Sequence, residues 1–77
     1  MNRITNMKKA IGVFRSYGIP LSGKQKSANF YKELHMDKVY VDGLIFELEL
    51  ELNKILEEEK IALLETPSEL LQELLAA

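Results

Sequence analysis

The sequence predicts an all-α domain: three longer helices and one short one, with a long connection after the first. Three observations predict it. Apolar residues recur at spacings of three and four near the N-terminus, through residues 39–56, and again over residues 70–75. The second half is dominated by Leu and Glu, both strong helix formers, with few β-branched residues among them. A helix-start signature, Thr66-Pro67-Ser68-Glu69, stands directly ahead of the last apolar run. The 77 residues form one domain, 1–77. A core of that size leaves only about 3–5 kcal/mol of net stability.

Composition removes several function classes. There is no cysteine, hence no disulfide framework, thiolate zinc site or cysteine nucleophile. The single histidine, His35, argues against a histidine-based metal site. No apolar run approaches the roughly 20 residues that span a bilayer. The opening MNRITNMKKA carries no apolar core of a secretory signal, so a cytoplasmic location is expected. No paired carboxylates, catalytic triad, Gly-rich phosphate loop or metal constellation is visible, and a non-enzymatic role is expected.

The net charge of −2 hides an asymmetry. Residues 1–38 hold eight basic groups against Glu33 and Asp37, a balance of +6, whereas residues 39–77 hold Lys54 and Lys60 against ten acids, a balance of −8. Such a split points to complementary faces or to different partners for the two halves. Few aromatics interleave the basic residues, so nucleic acid is not an expected partner.

In chain order, residues 3–17 read as the first helix, with Ile4, Met7, Ala10, Ile11 and Phe14 on one side. Gly12 either weakens it or lets a neighbouring helix approach. Gly18 and Pro20 end it, one able to take a left-handed cap and the other unable to continue a helix. Residues 20–36 form the long connection, anchored by Leu21, Phe30, Tyr31 and Leu34, with a helical turn expected between Phe30 and Leu34.

The central stretch is ambiguous in period. Phe46-Glu47-Leu48-Glu49-Leu50-Glu51-Leu52 alternates as a half-buried strand would, yet Val39, Leu44, Leu48, Leu52, Ile55 and Leu56 also fit one helical face. Residue propensity decides for a helix from Asp37, as a side-chain N-cap, to about Leu56. A solvated acidic turn, residues 57–60, precedes one or two helical turns over residues 61–64. The last helix opens at Thr66 and buries Leu70, Leu71, Leu74 and Leu75.

These elements and their spacings resemble an acyl carrier protein across nearly the whole chain. In that family a phenylalanine and an acidic, Leu-Gly-any-Asp-Ser-Leu motif precede the second helix. Here the segment reads Phe30-Tyr31-Lys32-Glu33-Leu34-His35-Met36-Asp37-Lys38-Val39. The family's buried second-helix positions fall on Val39, Leu44, Leu48, Leu52 and Leu56, and its following glutamate on Glu49. Its Lys-Lys-apolar-apolar-Gly of the first helix falls on residues 8–12, and its last-helix opening on Thr66-Pro67. The resemblance implies a four-helix acyl-carrier-like bundle, associated with fatty-acid or polyketide type biosynthesis.

It also implies what is missing. The family's serine hydroxyl attacks coenzyme A under a phosphopantetheinyl transferase and becomes the phosphodiester oxygen. Lys38 occupies that position, so phosphopantetheine is not expected as a cofactor, and neither a catalytic residue nor a metal is expected. The motif glycine is His35, and acidic docking positions fall on Tyr40, Gly43 and Leu50. The expected partner-docking residues are Asp37, Lys38, Tyr40, Phe46, Glu47, Glu49 and Leu50, facing a synthase, ligase or other carrier-interacting enzyme. A monomer or a weakly self-associating chain is expected. Two other readings stay open: a genuine carrier whose natural form has serine at position 38, and an unrelated small helical adaptor.

Overall fold

A computed structural model describes residues 3–21 and 23–76; Met1, Asn2, Ser22 and Ala77 lie outside them, as does the side chain of Arg3. The described residues form four α-helices and no strand: α1 (Arg3–Ser16), α2 (Lys38–Leu52), α3 (Glu58–Ile61) and α4 (Pro67–Leu75). The all-α class with three longer helices and one short one therefore holds. A 3-10 turn, Gln25–Ser27, interrupts the long first connection.

The three longer helices pack mutually around one core. Ala10, Val13 and Phe14 enter it from α1; Val41, Leu44, Ile45, Leu48 and Leu52 from α2; Leu70 and Leu74 from α4. Each set follows the three-and-four spacing that keeps side chains on one helical face. Fully burying a side chain of this size contributes about 1.5–3 kcal/mol, which is why so few of them hold so short a chain together.

Backbone chemistry fixes the ends. Gly18, at φ +77°, closes α1: the Ile19 amide donates to the Phe14 carbonyl and the Gly18 amide to that of Arg15, both at 2.9 Å. This is the six-to-one and five-to-two pairing that a left-handed residue completes. Buried Ile19 then seals it. Gly12 serves no close approach, because a side chain built there meets nothing within 4 Å. The glycine that does is Gly43 on α2, where a Cβ would stand 3.4 Å from the Tyr17 hydroxyl.

The long connection is held by Phe30. Its ring is fully buried, its amide donates to the Glu65 carbonyl at 2.7 Å, and its carbonyl accepts from the Met36 amide at 2.8 Å. The Asn29 Oδ1 accepts from the Tyr31 and Lys32 amides at 2.9 Å each, so a side-chain turn launches the expected helical turn toward Leu34. Leu21 and Leu34 pack against the core, while Tyr31 stays exposed, edge-on to Phe30.

Several expectations need correction. The central helix ends at Leu52, not near Leu56, because Asn53 turns left-handed at φ 54° and its neighbour Lys54 donates to the Glu49 carbonyl. Ile55, now beyond the helix, is 92% exposed. Val39 is 82% exposed and Val41 takes the core position instead. Five residues separate Val39 from Leu44, which sets them about 140° apart around an α-helix. Ile4 is likewise exposed, and Val13, not placed on the apolar side from the sequence, is buried. The residues expected to form an acidic turn build α3 itself, which ends at Ile61; beyond it Leu63 is exposed and Leu64 buried. At α4 the expected capping box is present: Thr66 Oγ1 accepts from the Glu69 amide and Glu69 Oε1 from the Thr66 amide, both at 3.2 Å.

Candidate functional site on the outer face of the second helix

With Val41, Leu44, Ile45, Leu48 and Leu52 committed to the core, the opposite side of α2 is fixed by geometry. It carries Val39, Gly43, Phe46 and Leu50, at spacings of four, three and four. That is a second apolar seam, directed away from the core. Phe46 and Leu50 are 60% and 65% exposed. An ordinary surface helix has one apolar stripe and a polar back; α2 has two stripes with charge confined to the flanks between them.

The charges on those flanks are mostly negative. Asp42, Glu47, Glu49 and Glu51 stand against the single Lys38. Lys38 heads the helix, where its Nζ lies 3.4 Å from Asp42 Oδ1, with side chains 72% and 52% exposed. An exposed i,i+4 pair of this kind contributes at most a few tenths of a kcal/mol. The amine therefore sits in water, without the dry surroundings a Schiff-base lysine requires. Asp37 holds the N-cap position in extended backbone, yet its side chain makes no capping bond. The cap expected of it is absent, and its carboxylate stays at the surface.

Glu49 differs from its neighbours. Its Oε2 accepts from the Leu56 amide at 2.7 Å across seven residues, in a half-buried setting. The carboxylate fastens the turn after α2 and is already engaged, whereas Glu47 and Glu51 point along the exposed flank. Of the expected docking residues, the fold thus brings Tyr40, Phe46, Glu47 and Leu50 onto one accessible surface, with Asp37 and Lys38 at its N-terminal edge. Glu49 belongs to the frame beneath it. From the sequence Val39 was placed in the core and Gly43 on a docking position that has lost its acid; their spacing to Phe46 and Leu50 carries the signal for the seam.

Two depressions border the seam. One, of about 410 Å³, lies between α2 and α3 and is lined by Lys38, Asp42, Ile45, Phe46, Glu49 and Glu58 among others. The other, of about 530 Å³, lies between the end of α1 and the start of α2, lined by Ser16, Tyr17, Asp37, Val39, Tyr40, Gly43 and Glu47. There the rings of Tyr17 and Tyr40 meet with centroids 4.8 Å apart and planes tilted by 53°. Burial above all, then the Glu47 carboxylate and Tyr40, push the Tyr17 phenol above its ordinary value of 10.0.

Among the described residues no three His, Cys, Asp or Glu side chains are grouped to hold a metal ion. Nor, among those residues, is any helix long and apolar enough to cross a membrane. Comparison of the chain with protein-family models, with curated proteins and with solved structures gives no match.

Proposed function

We propose that the chain is an acyl-carrier-like docking protein that works without a phosphopantetheine arm. The second seam on α2 is the observation that carries the docking half of this reading. Val39, Phe46 and Leu50 left facing water along one row cost solubility and give the core nothing, so their use lies in contact with another surface. The flanks define that surface. Asp42, Glu47 and Glu51 favour a protein partner with an apolar strip between basic side chains.

Charge also argues against a second copy of the chain as occupant. A two-fold antiparallel pairing of α2 sets each flank against its own equivalent, opposing Glu47 and Glu51 to like charges. The protein is accordingly monomeric, and sedimentation equilibrium showing dimers at low concentration would overturn that choice of partner.

The carrier-like half rests on three features. Helix order and the long first connection follow the family pattern. His35 stands where the family motif has glycine, and its backbone is left-handed at φ 53°, a conformation natural to glycine and uncommon for histidine. Lys38 then heads α2 in place of the serine, on an accessible first turn. An ammonium offers no hydroxyl oxygen to become a phosphodiester, so the normal attachment chemistry has no acceptor. Incubation with coenzyme A and a broad-specificity phosphopantetheinyl transferase, followed by mass measurement, tests this. No change in mass is expected; a gain of one phosphopantetheine would refute it.

A further inference from the structure

We propose that the outer strip of α1 is a second docking surface, one that takes an acidic amphipathic helix of a protein partner. It differs from the docking face of α2 in both place and sign of charge.

α1 repeats, on a smaller scale, the two-sided pattern of α2. Ala10, Val13 and Phe14 turn to the core, while Ile4, Lys8, Ile11 and Arg15 follow one another at spacings of four, three and four. At about 100° per residue these four fall within an arc of about 60°, centred about 140° from the mean direction of the core set. Their strip runs about 17 Å along the helix. Ile4 is 69% exposed, Lys8 and Arg15 are exposed, and Ile11 is half-buried without belonging to the core. Beside the strip, Ile11, Arg15, Pro20 and Leu21 line a hollow of about 240 Å³.

Charge names the occupant. No acid precedes Glu33, so α1 carries its basic residues with no acid among them. Neither Lys8 nor Arg15 has an ion-pair partner among the described residues. A row of alternating apolar and basic side chains is matched by a helix that presents apolar side chains at the same three-and-four spacing, with carboxylates between them. One apolar side chain of that helix enters the hollow, and the planar Arg15 guanidinium at its wall pairs with a neighbouring carboxylate through two donors. Other anionic surfaces fit less well. A bilayer surface is flat and leaves a recess walled by Pro20 and Leu21 unfilled. A nucleic acid offers phosphates but nothing for Ile4 and Ile11, and the strip has no aromatic ring on which bases stack. α1 and α2 thus turn outward faces of opposite sign, the structural form of the charge split between the two halves of the sequence.

The test uses the intact chain and a probe of fixed composition. A peptide of about four helical turns carries leucine at every third and fourth position and glutamate elsewhere, and its twin has glutamine for each glutamate. Both are titrated into ¹⁵N-labelled protein. Saturable amide shifts are expected at Ile4, Lys8, Ile11, Arg15 and Leu21 with the glutamate peptide. Binding should be about 3–30-fold weaker for the glutamine twin, and likewise for the double variant Lys8→Gln, Arg15→Gln, the range of two exposed ion pairs. Ile4→Ser should weaken it about 3–10-fold through lost apolar contact. All three side chains are exposed, so the folded state survives these changes, and the retained amide spectrum verifies it. Equal affinity for the glutamine twin overturns the proposal. So does a response centred away from the strip, affinity unchanged in the variants, or equally tight use of the same strip by phosphatidylglycerol vesicles or a single-stranded oligonucleotide. Phe46→Ser with Leu50→Ser should leave the peptide's affinity unchanged, which keeps a failure here distinct from a failure of the docking reading of α2; a loss of affinity in that variant places the peptide on α2 and overturns the proposal.

Discussion

Replacing Glu49 with alanine separates a structural carboxylate from a docking one. Glu49 Oε2 accepts from the Leu56 amide at 2.7 Å, and this bond ties the segment leaving α2 back onto the helix. A hydrogen bond to a charged group contributes about 1.5–3 kcal/mol, and its loss strands a half-buried donor. Alanine returns a few tenths through helix propensity. The net expectation is a loss of about 2 kcal/mol, which in a domain of this size lowers Tm by roughly 8–16 °C. Glu51→Ala is the matched control, because that side chain is exposed and should shift stability by no more than about 0.5 kcal/mol. Thermal unfolding followed by far-ultraviolet circular dichroism reads both. Equal melting temperatures for the two variants would refute the assignment of Glu49 to the frame.

Three further outcomes follow from the same geometry. His35→Gly should stabilise the fold by up to about 1 kcal/mol, since relief of a left-handed histidine exceeds the extra chain entropy of glycine, whereas Gly18→Ala should destabilise it by about 1–2 kcal/mol; denaturant midpoints decide. The double change Phe46→Ser and Leu50→Ser should leave Tm within a few degrees, because both side chains already face water, while abolishing partner binding measured by calorimetry. Tyr17 is held above 10.0 in the folded state, so the fold binds that proton more tightly than the unfolded chain does. Its contribution is complete below pH 10 and fades as pH rises beyond it, and Tyr17→Phe should flatten this alkaline fall in Tm against pH.

Much of the architecture was legible because it rests on local signals. Thr66 and Glu69 announce α4 through a capping box that any four-residue window reveals, and Gly18 with Pro20 punctuates α1 without reference to the rest of the fold. The end of α2 was not legible in this way. Asn53 takes the left-handed role more often given to glycine, and Ile55 and Leu56 extend the apolar period past the true stop.

The register of α2 failed at Val39 for a related reason. A helix apolar on two sides offers two consistent faces, and only packing against α1 and α4 selects the one with Val41 and Ile45. That same ambiguity hid one member of the exposed row. Phe46 and Leu50 were legible as docking residues, but the row they belong to was complete only once Val39, assigned to the core, moved to their side with Gly43. Glu49 and Glu51 are alike in sequence, two residues apart on one helix. Only the fold, by bringing the Leu56 amide within reach of one of them, gives them different work.

The central claim is a carrier-like frame whose attachment atom is absent, and Lys38 tests it most directly. Wild-type protein and Lys38→Ser are incubated in parallel with coenzyme A and a broad-specificity phosphopantetheinyl transferase, and each is weighed intact. Lys38 is exposed and its ion pair among the described residues is the weak one with Asp42, so the substitution leaves the fold in place. The account predicts an unchanged mass for the wild type and a gain of one phosphopantetheine for Lys38→Ser. Modification of the wild type, or a serine variant that stays unmodified while folded, would contradict it.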